Sequence, residues 1–388
     1  MANRYFVNGG VDNNWGTTGN WSTTSGGAGG SAVPLATDDV FFDASSPNCT
    51  VNTSNRVALT LNFTGYTNTI TMTFGITVSG SVTLASGMTI AGTGFLATNA
   101  TATLTSNGKT WPNAYTATVG STTVTLADNW VINGLVTFGT AANNITVNGN
   151  QITCNGGITH GGSTGIISGT TLLLLAGTGT ITGPSSTGAL RLPITINTSG
   201  TYTFAAAAFR YDTGTLTYTA GTVVTSGSTL TCASGTTFDC AGITWAAVTL
   251  SGAATYTMTG ALNVSGLLTL GNGSTGVTTL NGANVNASGG VTLSVTSGSI
   301  ANASTSTLVL SGTGTVNSSG LTTGAILCKV TINASSGTVT FASPVRLDMA
   351  RVQFTAGTVI TDVGTWASGS GGVTTPIIRA GQFGVQSF

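Results

Sequence analysis

The sequence predicts an all-β chain wound as a mostly parallel β-solenoid, or β-helix, and three observations carry that expectation. An internal super-repeat of about 133 residues runs through the chain: "NGLVTFG" at 133–139 returns as "SGLLTLG" at 265–271, and "NGNQITCNGGIT" at 148–159 returns as "NGANVNASGGVT" at 281–292. Runs such as "ITVSGSVTL" at 76–84 place Val, Leu and Ile on one side and Thr or Ser on the other. That is the period-two pattern of half-buried strands, and no helical period competes with it. The runs are short and separated by Gly, Asn-Gly and Ser-Gly, which supply the positive φ angles of sharp corners. Stacked repeats share one continuous core, so the length of 388 residues does not by itself imply several domains.

The elements follow in order. Residues 1–47 contain "NNWGTTGNWSTTSGGAGG" and "VPLATDDVFFDAS", which do not return later in the chain. Trp15 and Trp21, beside Phe41 and Phe42, suit an aromatic cap over the first coil, as an open solenoid end requires. An aromatic platform for sugar rings is the functional alternative for the two tryptophans. Residues 48–366 form the solenoid body, with coils of about 20 to 25 residues, in two full copies and a truncated third. The offset between copies is 132 at Gly134/Gly266, 133 at Gly149/Gly282 and 137 at Phe204/Phe341, so single residues have been inserted, and corners are where they are expected. In the third copy Gly357 precedes Trp366 by 9 residues, where Gly221 precedes Trp245 by 24, a shortage close to one coil. Residues 367–388 read as a linker ("ASGSGGVTTP" begins at Ala367) followed by a terminal strand or docking tail.

Composition narrows the function. Nine Lys and Arg balance nine Asp, with no Glu, and charged residues are 5% of the chain against the usual ~25%. No basic stripe exists for nucleic acid or an anionic membrane surface. The start "MANRYFVNGG" lacks the basic and apolar regions of a signal peptide, and no run is long and apolar enough to span a bilayer. Synthesis in a cytoplasm, without membrane insertion, is expected. The five cysteines have no metal-ligand spacing and read as buried free thiols; Cys232 and Cys240 could pair only from neighbouring strands. No cofactor or metal motif is present.

Few residues offer chemistry. Arg210 and Asp212 recur as Arg346 and Asp348 at an offset of 136. Residues two apart on a strand share a side, so each Arg pairs its Asp, either as a solvated ion pair of a duplicated coil or as a polar patch for glycan. Cleaving a glycan would need two carboxyls about 5 to 9.5 Å apart, and no such pair is identified. Asp38, Asp39 and Asp43 read as turn and capping groups rather than a calcium loop, and the sole histidine, His160, as a satisfied, partly buried side chain. Thr-X-Thr pairs at 71/73, 201/203 and 338/340 recur only once per super-repeat, too sparsely for a threonine array matched to ice. "TLLLLAG" at 171–177, whose counterpart keeps Leu308, Val309 and Leu310, is apolar on both parities. Leu172, Leu174 and Val309 are therefore the candidate lateral interface, which a homotrimer would bury.

The opening "RYFVNGG…NNWGTTGNWSTTSGGAGGSAVPLATDDVFFDAS" resembles the N-terminal segment of β-solenoid fibre, spike and appendage proteins of tailed bacteriophages and, more distantly, the starts of bacterial adhesin passenger regions. The resemblance covers about 45 residues and rests on Gly, Trp and Asn spacing; the remainder is similar in composition alone. It implies a structural and adhesive protein on the virion surface, often trimeric, joined to other virion proteins and meeting host-surface glycans; the residues themselves offer Trp15, Trp21, Arg210, Asp212, Arg346 and Asp348 as candidate glycan contacts. No catalytic carboxylates carry over, so a non-enzymatic role is expected. A self-assembling extracellular filament or adhesin of a bacterium and a glycan-degrading tailspike are the rival readings.

Overall fold

The computed structural model describes residues 2–361, apart from 8, 10–11, 118–121, 140–143, 163, 185–187, 206–207, 272–276, 295–298, 301–303, 319–324, 343–345 and 348–351. Parallel coils stack into a β-solenoid. Two compact units are distinguished, Met1–Thr203 with Ala220–Val224, and Phe204–Thr219 with Thr225–Phe388.

A coil contributes three strands. In the first unit one coil runs Thr122–Leu126, Trp130–Ile132 and Val136–Phe138, which define a first, second and third face. The next coil, Ile145–Gly149, Ile152–Cys154 and Gly157–His160, lies on it in parallel register, with Val124 opposite Val147, Val131 opposite Thr153 and Thr137 opposite Thr159. Along these strands buried and half-exposed residues alternate, as at Val136 and Phe138, which are buried, and Thr137 between them, which is half-exposed. The sequence alternation thus becomes an apolar interior and a threonine exterior. Register partners on the first face of this unit are 21 to 23 residues apart. In the second unit, third-face partners are 18 to 25 apart, so coils differ mainly in their corners.

The super-repeat is realised position by position. Gly157 and its counterpart Gly290 open equivalent third-face strands at φ of +106° and +120°, and Gly149 and Gly282 end equivalent first-face strands at +97° and +96°. A Cβ on Gly157 would lie 2.3 Å from the Thr180 carbonyl oxygen, and one on Gly290 2.8 Å from that of Thr315. Both conformation and space therefore demand glycine at these corners. One insertion falls where the strands Ile194–Phe204 and Lys329–Phe341 bend. Their burial alternation is the same on both sides, and the extra residue, Ser336, stands exposed at the bend.

The cap supplies a strand of its own. Asn3–Phe6 runs antiparallel to Trp21–Ser22 and parallel to Asp39–Phe41. Strand stacking accordingly starts inside the segment read as a cap. Trp15 meets Trp21 edge-on at 5.0 Å, Phe6 stacks on Phe42 at 5.2 Å, and Phe42 on Phe63 of the following coil at 4.8 Å. Each such ring removes roughly 150–250 Å² from water, about 4 to 6 kcal/mol of gross burial at the usual area coefficient.

Candidate functional site

The two tryptophans expected to contact glycan are both fully buried, and Trp21 Nε1 donates to the Trp15 carbonyl at 2.6 Å. Neither ring presents a face to a sugar, because the cap needs both to close the first coil.

Arg210 and Asp212 do pair, at 3.0 Å from both Nε and Nη2 to Oδ2, but the pair is not the solvated one expected. Asp212 is completely buried, and its Oδ1 accepts the Ala233 amide of the next coil at 2.7 Å. The strand ends at Arg210, and the turn through Thr213, at φ +59°, carries the carboxylate inward. Asp212 thereby fastens one coil corner to the next, with both oxygens committed, and cannot meet a sugar unless the corner opens. Asp348 lies outside the described residues, as does the side chain of its partner Arg346.

The doubly apolar strand keeps its two parities. Leu173 and Leu175 are buried, while Leu172 and Leu174 are half-exposed. On the second face, however, Leu174 stands between Thr153 and Thr195 of neighbouring coils, and Val309 between Asn286 and Thr331. These side chains are single apolar groups in polar columns and do not merge into an apolar strip.

Asp12, Asp38 and Asp43 hold backbone and side-chain groups of the first 47 residues, while Asp39 accepts from the Thr60 hydroxyl of the following coil at 2.6 Å. Asp38 accepts from the amides of Ala2 and Leu35, both at 3.1 Å, and from Arg4 Nε at 3.3 Å. Asp43 holds Ser25, Ser45 and Ser46. Asp12, not singled out from the sequence, gathers Asn14, Thr17 and Asn20 at 2.8 to 3.0 Å, and the "DNNWGTTGN" string was its available signal. The Asn14 amide bond, offset in part by burial and helped by the three side chains, holds its carboxyl below the usual range. His160 is buried, with Nε2 against the Gly165 carbonyl at 2.8 Å and Nδ1 receiving the Gly162 amide. Burial pushes the imidazole below its ordinary value. All five cysteines are buried free thiols, Cys240 being pushed by burial up to about 12. Among the described residues no group of three or more His, Cys or Asp side chains is placed to hold a metal, and no helix is long and apolar enough to cross a membrane.

Much of what the described residues offer outward is hydroxyl and amide, with single apolar side chains such as Leu35, Leu267 and Val277 exposed among them. Thr116, Thr137, Thr159 and Thr182 follow one another up the third face of the first unit, and Thr231, Thr249, Thr269 and Thr292 do so in the second. Outward threonines therefore recur in every coil of these columns, correcting the sparser spacing inferred from the Thr-X-Thr pairs. Asn148 and Ser168 interrupt the first face, and beside Thr231 and Thr249 of the third face the second outward column runs Ala208, Thr229 and Ala247, so among the described residues these faces present no extended two-dimensional threonine lattice. An open groove of about 520 Å³, edged by Thr64, Thr67, Ser86 and Asn107, adds an uncharged polar corner. No family model, curated protein or solved structure matches the chain.

Proposed function

We propose that the protein is a structural and adhesive component of the surface of a tailed bacteriophage particle, a fibre, spike or capsid-attached appendage that meets neutral host-surface glycan. The observation that carries this reading is the N-terminal segment. The residues that resemble phage appendage starts are those of an aromatic end segment with a strand of its own, and the outward threonine columns of the coils beyond it are rich in uncharged hydroxyl groups. Such an exterior suits hydrogen bonding to sugar hydroxyls without demanding an anionic ligand. Of the charged pairs offered from the sequence, Arg210–Asp212 does not serve here, since Asp212 is spent inside the coil.

Two measurements test the reading. Mass spectrometry of particles purified from the lysate of an infected host is expected to find the protein at a fixed ratio to capsid subunits. Purified protein is expected to bind host cells, and to lose binding when surface polysaccharide is stripped. Absence from the particles overturns the virion assignment, and undiminished binding to stripped cells overturns the glycan assignment.

A further inference from the structure

Both tryptophans expected to meet a sugar are buried, yet aromatic surface is present elsewhere in the first unit, at the corner that leads into its third face. Strands Arg56–Ala58, Ile76–Val78 and Leu96–Thr98 lie in register there, with Arg56 opposite Ile76 and Ile76 opposite Leu96. The residues just before them, Asn55, Gly75 and Phe95, therefore stack in one column on successive coils. Phe95 is half-exposed, and its ring lies on Gly75: a Cβ built on that glycine would fall within 2.6 Å of Cζ, Cε1 and Cε2 alike. Near-equal distances to three ring carbons place that point over the face of the ring rather than its edge. Gly75 is thus a shelf that holds one ring face inward, and the exposure of Phe95 belongs to the other. Phe74, next to Gly75 in sequence, is 39% exposed at the same corner.

A second group converges on the same glycine. Asn55 is exposed, and its Oδ1 accepts the Gly75 amide at 2.9 Å. That bond fixes which way the carboxamide points. Asn55 Nδ2, with two N–H donors and no bond among the described residues, is left for a ligand. Arg56, the cation next to it in sequence, bonds the Thr53 hydroxyl through Nη2 and lies against Gly16 of the opening segment. From Ala44 to Ala127, the stretch that builds this corner, the chain carries no acid.

We infer that Phe95 and Asn55, bordered by Phe74, form a subsite for one neutral pyranose ring of a glycan. A pyranose has a face of C–H groups that packs on an aromatic face, and hydroxyls around its rim that accept from a carboxamide. A flat apolar surface with an oriented donor beside it matches both. Other occupants fit less well. The two rings expose on the order of 100 Å², far short of the roughly 800 Å² per side of a stable protein interface. A nucleobase would also stack, but nucleic acid brings phosphates, and one guanidinium bound to its own chain is no counter-charge for them. The assignment rests on the glycan reading above, names the residues for it, and does not depend on a virion.

An array of neutral hexose and N-acetylhexosamine oligosaccharides, with uronic-acid glycans beside them, tests it with the full chain. Wild-type protein is expected to bind neutral members. Phe95→Ala is expected to weaken that binding about tenfold or more, and Phe95→Tyr to keep it. Asn55→Asp is the sharper variant, because a carboxylate oxygen can still take the Gly75 amide while the outward donor is gone; it too is expected to weaken binding, with melting unchanged. Circular dichroism and melting verify that the coils of each variant are intact. Unchanged binding by either folded variant overturns the subsite and leaves the glycan reading standing. Binding confined to uronic-acid glycans overturns the neutral assignment. An array left unbound by the wild-type protein also overturns the subsite, and the glycan reading falls with it only if intact and polysaccharide-stripped host cells bind alike.

Discussion

Asp212 shows how a corner can invert the role of a charged residue. Along a strand, positions two apart share a side, which is why Arg210 and Asp212 read as a matched surface pair. The strand stops at Arg210, so the rule stops there too, and the carboxylate turns under the next coil onto the Ala233 amide. Asp212→Ala removes the buried partner of Arg210 and frees a buried amide. A loss of about 3 kcal/mol is expected in denaturant unfolding, the low end for breaking a buried pair because the guanidinium keeps some water; a loss under about 1 kcal/mol, typical of an exposed pair, refutes the anchoring role. His160 yields a pH prediction. Burial lowers its proton affinity in the folded chain, whereas the unfolded chain takes up the proton near pH 6.5. Stability is then undiminished above that value and declines as the pH falls through it. His160→Leu, the residue its counterpart Leu293 already is, should flatten the change in unfolding free energy between about pH 7.5 and about pH 5.5. An unaltered slope would show that another group is responsible. Asp12 acts lower on the scale: its stabilisation holds above the ordinary carboxylate range and is lost as acid is added through it.

Among the elements, the strands and corners were the most legible in the sequence. Thr-Val alternation set their faces, and glycine marked turns, some of which, as at Gly157 and Gly290, leave no room for a Cβ. Gly157→Ala and Gly290→Ala each bring a Cβ against a neighbouring carbonyl at positive φ. Each should cost well over 1 kcal/mol, and hydrogen exchange should rise in the strands that follow, Gly157–His160 and Gly290–Leu293. Equal protection in wild type and variant would mean that the corner relaxes freely. The aromatic cluster at the start of the chain was legible because its rings do not recur, and Trp21→Ala should cost about 3 to 5 kcal/mol, read as lost exchange protection in Asn3–Phe6. Less visible was the face on which an outward residue lies. Period two separates inside from outside, but assigning one of three faces requires the register between coils, and only that register sets Thr137 among the threonines of one column and Leu174 between Thr153 and Thr195 in another. The place of Asp12 was hidden for a similar reason, because its partners come from a 3-10 turn and flanking loop with no strand period to read.

At the scale of the whole molecule, near-neutrality and the near-absence of charge make cohesion a matter of apolar burial and backbone pairing. Melting should therefore change little between about 0.01 and 1 M salt, conditions over which charge interactions are screened away, and a large shift would expose an ionic contribution unaccounted for by Arg210–Asp212 and Arg4–Asp38. The bend that holds Ser336 bears on how such a chain changes over time and on where it accepts modification. Ser199 and Gly200 in one copy answer to Ser335, Ser336 and Gly337 in the other, and the burial alternation resumes unshifted after the extra serine. A site that has already absorbed added length without reversing the inside and outside of the following strand is a natural place to graft a foreign peptide, displayed at a set height along the coils while the scaffold beneath it keeps its phase.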